Sequence, residues 1–162
     1  MQKKNNFNAH LLALFLVILN VGNYKITGFS KVMPLFDIMA VFYFSVFFPI
    51  FSTSFIFLLG VFSDALQSNF LGVSSLIYIL LIKFFLALNN RMIIAENFRQ
   101  ILQQFALFLL LFLLFKLAII SLLSHTNYDF ISLLIKWILS IIIYAAMHRL
   151  FDYFRKNSAK NL

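Results

Sequence analysis

Residues 105–123 read FALFLLLFLLFKLAIISLL, and this stretch decides the fold class. It contains a single charged side chain, Lys116. A membrane-spanning helix needs about 20 consecutive, mostly apolar residues, so the segment has the length and composition of a transmembrane helix. A second stretch of the same kind, 131–153, follows after a short polar connection.

The composition of the whole chain points to the same location. Hydrophobic residues make up 63% of the 162 residues and charged residues 11%, whereas soluble domains have about 45–50% and about 25%. A chain this apolar has too few polar side chains to cover a surface in water, which excludes a soluble enzyme and an intrinsically disordered protein. It contains no cysteine, which excludes disulfides and thiolate metal sites.

Four shorter apolar segments bring the predicted number of spans to six. The predicted ranges are 7–21, 35–48, 50–66, 73–88, 105–123 and 131–153. Pro49 separates the second from the third, and proline both lacks a backbone donor and disfavours helix at the preceding residue. These two segments therefore form either two short spans or one re-entrant hairpin. We expect one all-α transmembrane domain over residues 1–162, a bundle of about six helices.

The distribution of basic residues predicts that both chain ends face the cytoplasm. With six spans, most lysines and arginines outside the spans fall on the side of the termini, which follows the positive-inside bias. The cytoplasmic set is Lys3, Lys4, Arg91, Arg99, Arg149, Arg155, Lys156 and Lys160, and the outer set is Lys25 and Lys31. The net charge of +8 is therefore assigned to membrane topology and not to nucleic-acid binding.

Ionisable residues inside the spans are the candidate functional positions, because each charged group costs about 2.5–3.5 kcal/mol at the bilayer centre. Lys116 lies in the outer half of the fifth span, and Asp64 lies near the outer end of the third. Three explanations stay open: an Asp64–Lys116 ion pair, a lysine that extends to the interface, or a contact with a substrate or partner. Lys83 and Lys136 lie closer to span ends and are interpreted as interfacial anchors.

The remaining acidic residues are interpreted as solvated, and the usual marks of a reactive site are missing from the sequence. Asp37, Glu96, Asp129 and Asp152 fall near span ends or in connections. No His, Asp and Glu set has metal-ligand spacing, and there is no nucleophile elbow or phosphate-binding loop. Residues 89–104 suit either an amphipathic surface helix or an inward extension of the fifth span. We therefore expect neither an enzyme nor a bound cofactor.

The stretch 34–72 carries an ordered motif. Its members are Pro34, Tyr43-Phe44, Pro49, Gly60, Asp64 and Leu71-Gly72. The set resembles the MreD family of bacterial rod-shape-determining membrane proteins, which shows a proline, a tyrosine–tryptophan pair, a second proline, G-x-x-x-D and a downstream L-G. Phe44 stands where the family usually has tryptophan, and Gln67-Ser68 where a glycine is common. Chain length and the six apolar segments also fit.

The motif has a physical interpretation of its own. Gly60 and Asp64 are four residues apart and share one helix face, where Gly60 permits the close approach of another helix. Asp64 is expected to accept backbone N–H bonds at the start of the next segment, and Gly72 to adopt a positive φ. The motif predicts either a packed turn that fixes two short helices or a direct partner or ligand site.

The resemblance implies a non-enzymatic scaffold subunit of the cell-elongation machinery in the bacterial cytoplasmic (inner) membrane, where it helps organise lateral peptidoglycan synthesis. The partners that it implies are an MreC-like protein, the actin-like MreB, and RodA with its partner transpeptidase. Small residues such as Gly60 and the Ala145-Ala146 pair are the expected contacts with the single span of the MreC-like protein.

The resemblance also supplies an alternative function. The MreD family looks similar in fold to the membrane substrate-binding subunits of vitamin uptake transporters. A small-molecule-binding subunit of that type would need an outward-facing polar pocket, for which Asp64, Asn69 and Lys116 are the candidates.

Overall fold

The computed structural model describes residues 6–22, 33–47, 51–67, 70–89, 98–124 and 130–160. Within these ranges the chain is helical and has no strands, which confirms the all-α class. The helices are α1 (Asn6–Gly22), α2 (Phe36–Phe42), α3 (Thr53–Leu66), α4 (Val73–Asn89), α5 (Phe98–Ser124) and α6 (Phe130–Lys160).

Two of the six helices are long and apolar enough to cross a membrane. They are Phe98–Leu122 within α5 and Phe130–Tyr153 within α6. At about 1.5 Å per residue, each of these stretches exceeds the roughly 30 Å hydrocarbon core of a bilayer. The other four are shorter apolar helices. The two long helices support a membrane protein, whereas crossing by all six belongs to the proposal below.

Both long helices extend beyond their predicted ranges. The fifth begins at Phe98 instead of residue 105, so residues 98–104 extend α5 at its N-terminal end. The sixth continues to Lys160 instead of ending at Tyr153, since its last turns contain neither glycine nor proline to stop it.

The expected break between the second and third segments lies between Phe47 and Thr53. The second segment is α2 followed by one π-helical turn, Tyr43–Phe47. The backbone N–H of Phe51 donates to the carbonyl of Phe44 at 3.3 Å, which returns the chain toward α2. The third segment starts at an N-cap, where the Ser52 hydroxyl accepts from the backbone of Phe55 at 3.3 Å. Pro49 lies outside the described residues.

The short helix α2 occupies the middle of the core. Its residues from Ile38 to Phe42 have no exposed surface. The Phe42 ring lies 5.4 Å from the rings of Phe105 and Phe108 on α5 and 5.9 Å from that of Tyr144 on α6. The hairpin of α3 and α4 packs against α1 and α5. An apolar helix enclosed in this way can hold a buried polar group only if its neighbours supply hydrogen bonds.

Candidate functional site

Asp37, in the first turn of α2, is the centre of a buried polar network. The residue is 2% exposed, and its carboxylate accepts four hydrogen bonds. Oδ1 accepts from the Asn20 amide and the backbone of Ile38, both at 3.0 Å, and Oδ2 accepts from the hydroxyls of Ser63 and Tyr78, both at 2.8 Å. These bonds join α1, α2, α3 and α4. The expectation that Asp37 is solvated is therefore wrong.

Asp64 forms a second carboxylate centre at the turn between α3 and α4. It has no exposed surface. Oδ2 accepts from the backbone N–H groups of Gly72 at 3.1 Å and Ser74 at 2.8 Å, and Oδ1 accepts from the Ser74 hydroxyl at 2.5 Å. Gly72 has a φ of +95°, a conformation that residues with a Cβ rarely adopt. These are the bonds and the backbone conformation that the sequence predicts for Asp64 and Gly72.

Gly60 explains why α3 and α4 can approach so closely. A Cβ at this position would lie 2.4 Å from the Cα of Ser75 on α4. Since Gly60 is buried against α4 inside the bundle, it is not exposed to a partner helix. The expected contact of Gly60 with an MreC-like protein is therefore wrong, and the close approach that glycine permits occurs within the chain itself.

Lys116 on α5 links the two carboxylate centres without touching either of them. Its Nζ donates to the hydroxyl of Ser74 at 3.2 Å and to the side-chain oxygen of Gln67 at 3.4 Å, and it lies 5.5 Å from the centre of the Phe112 ring. Ser74 accepts from the lysine and donates to Asp64. The structure thus places one hydroxyl between the two charges of the predicted Asp64–Lys116 pair.

The link continues back to the first carboxylate. The Gln67 amide donates to the Ser63 hydroxyl at 3.1 Å, and that hydroxyl donates to Asp37. Asp37 and Asp64 are therefore joined by a chain of hydrogen bonds. It runs from Asp37 through Ser63, Gln67, Lys116 and Ser74 to Asp64. We call these residues, together with Asn20 and Tyr78, the buried network.

Most acceptor sites of the two carboxylates are occupied by hydrogen bonds, and this limits their chemistry. A carboxylate has about four acceptor sites, and Asp37 already accepts four hydrogen bonds while Asp64 accepts three. The hydroxyls of Ser63 and Ser74 each donate one hydrogen bond and accept one. A general base or metal ligand needs an oxygen that can reach substrate or metal, and these oxygens are already used to join helices. The arrangement favours structural support.

A second polar cluster joins the π-helical turn to α6. The hydroxyl of Tyr43 donates to Asp152 at 2.6 Å, and the Nε2 of His148 lies 3.6 Å from the other carboxylate oxygen. The Tyr43 ring also packs against those of His148 and Phe151, at 5.5 and 5.1 Å. Asp152 is thus engaged within the bundle and only partly exposed, so the expectation that it is solvated is also wrong.

The motif residues fall into three places. Gly60, Asp64 and Gly72 come together at the α3–α4 hairpin. Tyr43 and Phe44 are buried in the π-helical turn, where their rings lie 5.0 Å apart. Of the remaining members, Pro34 is buried just before α2, Leu71 is 68% exposed, and Pro49 and the pocket candidate Asn69 lie outside the described residues.

Sequence reasoning missed most of the buried network. The sequence analysis assigns no role to Asn20, Ser63, Ser74 and Tyr78 and interprets Asp37 as solvated, yet these five residues supply most of its bonds. A signal was present in the spacing, since Ser63 on α3 and its C-cap Gln67, and Ser74 and Tyr78 on α4, are pairs four residues apart. Polar residues at that spacing lie on one helix face, and two such faces in an apolar hairpin favour contact with each other.

Comparison of the chain with known protein families, with curated proteins and with solved structures finds no match.

Proposed function

We propose that this chain is a multi-pass membrane protein with six spans that acts as an MreD-like, non-enzymatic scaffold of the cell-elongation machinery in the bacterial cytoplasmic membrane. The observation that carries the proposal is that Gly60, Asp64 and Gly72 all contribute to the same α3–α4 hairpin. These three members of the motif build one helix hairpin, by close packing and by hydrogen bonds from the turn. A motif that specifies a packed support suits a protein whose role is to hold neighbours in place.

The buried charges support a scaffold over a transporter subunit. A binding pocket needs polar groups that face a ligand, whereas Asp64 is enclosed and its carboxylate is bonded to the turn and to Ser74. Lys116 is engaged with Ser74 and Gln67. The observed contacts of Asp64 and Lys116 therefore do not favour the vitamin-transporter alternative.

The helix α6 offers the surface that the proposal assigns to a partner. Ile131, Ile135, Ile138 and Ile142 are 68%, 44%, 50% and 63% exposed and recur at spacings of four, three and four. Ala146 continues this face and is exposed. A ridge with this spacing packs against a second helix at about 20°, and a small residue lets the two backbones approach. We assign the face to the single span of an MreC-like protein.

Affinity purification from detergent-solubilised membranes tests this assignment. Wild-type protein should recover an MreC-like protein, and Ala146→Trp should lower the recovery by about tenfold, since loss of a close helix contact of about 1.4 kcal/mol corresponds to that factor. The matched control is Leu58→Trp, on an exposed position of α3, which should leave recovery unchanged.

A cellular measurement complements the purification. Depletion of the protein from a rod-shaped bacterium should give rounded cells, and Ala146→Trp should fail to restore the rod. Rods that persist after depletion, together with no recovery of an MreC-like protein by the wild type, would reject the scaffold.

A further inference from the structure

Lys136 on α6 is a charged residue outside the hydrogen bonds of the buried network. It lies six residues after Phe130, about 9 Å along the helix, and it is partly buried. In the part of the chain that the structure describes, it has no hydrogen-bond or ion-pair partner. It is close enough to Lys116 and to Asp37 for its ammonium to be repelled by the first and attracted by the second, although it bonds to neither. A partly buried ammonium in an apolar setting favours an added anionic partner.

An apolar groove lies between α1 and α6. It has a volume of about 490 Å³, and the described residues that line it are all apolar, among them Phe15 and Leu19 of α1, Phe36 of α2, and Met147 and Leu150 of α6. Phe15 and Leu150 are 55% and 41% exposed. The groove therefore opens sideways, on the surface that faces acyl chains in a membrane.

Lys136 is aligned with this groove. Lys136 and Met147 are eleven residues apart, which is three helical turns, so they share one flank of α6 and lie about 16 Å apart along its axis. Long side chains on a helix lean toward its N-terminus, which directs the Lys136 ammonium toward the Phe130 end. Leu19 and Phe36 lie toward the same end of the groove, since their neighbours Asn20 and Asp37 are hydrogen-bonded to each other. The backbone N–H of Leu35 also donates to Ser140 of α6, four residues after Lys136.

The distance along α6 between Lys136 and the groove residue Met147 is close to the length of a lipid acyl chain in one leaflet. One leaflet provides about 15 Å of hydrocarbon, half of the roughly 30 Å core, and the phosphate lies above it. The Lys136–Met147 spacing is close to that length. A small free anion would bind Lys136 but leave the groove empty. An apolar ligand would fill the groove but would not neutralise the lysine charge.

We propose that the α1–α6 groove binds one phospholipid of the leaflet at the Phe130 end of α6, with the lipid phosphate on Lys136 and an acyl chain along Phe15 and Met147. This inference rests on the membrane embedding proposed above, although not on the scaffold role. The ammonium–phosphate contact is a charge-assisted hydrogen bond, which is among the stronger polar contacts in proteins. The basic residues of the opposite end predict that the leaflet is the outer one.

Native mass spectrometry of the full chain, released from phosphatidylglycerol nanodiscs, tests the proposal. Wild-type protein should retain one phosphatidylglycerol and little diacylglycerol with the same acyl chains. Lys136→Gln should lower the retained fraction by about tenfold, the effect of losing one charge-assisted bond, while Lys136→Arg should preserve it. Leu150→Trp, which fills the groove, should lower it as well. The matched control is Lys83→Gln, at an exposed lysine of α4.

The contrary outcomes are distinct. Equal retention by wild type and Lys136→Gln would overturn the proposal, as would equal retention of diacylglycerol. Displacement by millimolar inorganic phosphate, with no effect of Leu150→Trp, would identify a small-anion site and overturn the lipid. If alkaline carbonate without detergent extracts the wild-type chain from membranes, the membrane embedding fails first, and it does so whatever the lysine variants show.

Discussion

Replacing Gly60 by alanine should force α3 and α4 apart. The new Cβ would lie 2.4 Å from the Cα, 2.6 Å from the N and 2.7 Å from the Cβ of Ser75. Two of these three atoms belong to the backbone, so no change of rotamer relieves the contact. The helices must separate by about 1 Å to restore ordinary van der Waals contact. Overpacking of this kind costs about 1–3 kcal/mol, and the separation also stretches the hydrogen bonds that hold Asp64.

Thermal unfolding in detergent, followed by circular dichroism, measures this effect. For a chain of this size each kcal/mol lowers Tm by about 2–4 °C, so Gly60→Ala should lower it by roughly 2–12 °C. Adding Ser75→Gly should not restore Tm, because the nearest clashing atoms are the Cα and N of Ser75. The matched control, Ala65→Leu on the exposed face of α3, should stay within about 0.5 kcal/mol of the wild type. A Tm of Gly60→Ala equal to that of the wild type would refute the close approach of the two helices.

The buried network gives two further predictions. Asp37→Ala leaves the hydroxyls of Ser63 and Tyr78 buried without their acceptor, so the free energy of unfolding should fall by about 2–6 kcal/mol. Tyr78→Phe removes a single hydrogen bond and should lower it by about 0.5–1.5 kcal/mol. Denaturant titration of both variants measures the two losses, and a larger loss in Tyr78→Phe would contradict the prediction. Asp64→Asn and Lys116→Gln should be non-additive by about 0.5–3 kcal/mol in a double-mutant cycle, since one serine hydroxyl bridges the two groups. Strict additivity would show that the bridge contributes nothing.

The features that could be predicted from the sequence are the local ones. Each helix coincides with a predicted apolar segment. The hydropathy of a segment of 14 or more residues depends only on its own sequence, so such a segment can be located before its packing partners are known. The bonds from Asp64 to the next helix follow from a turn of a few residues, and so does the positive φ of Gly72. In both cases the interacting groups lie within ten residues of each other along the chain.

The features that could not be predicted depend on packing between distant segments. Asp37 lies near a segment end, a position that usually faces water, and it is buried because α1, α3 and α4 enclose the start of α2. The partners of Lys116 come from residues 42 and 49 positions away along the chain. Helix ends were also misplaced, since hydropathy does not distinguish a polar helical turn from a polar loop.

The polar bonds also explain how short helices can form a defined support. Contacts between apolar side chains alone allow helices to slide, and within a bilayer there is little hydrophobic gain to oppose sliding. The buried network has fixed donor and acceptor positions on α1, α2, α3, α4 and α5, so it sets their register. Among the described residues, α6 joins this frame by separate hydrogen bonds, from Leu35 to Ser140, from Trp137 to Ala106 and from Tyr43 to Asp152. A helix tied along one flank in this way leaves its isoleucine face exposed while the helices behind it stay fixed.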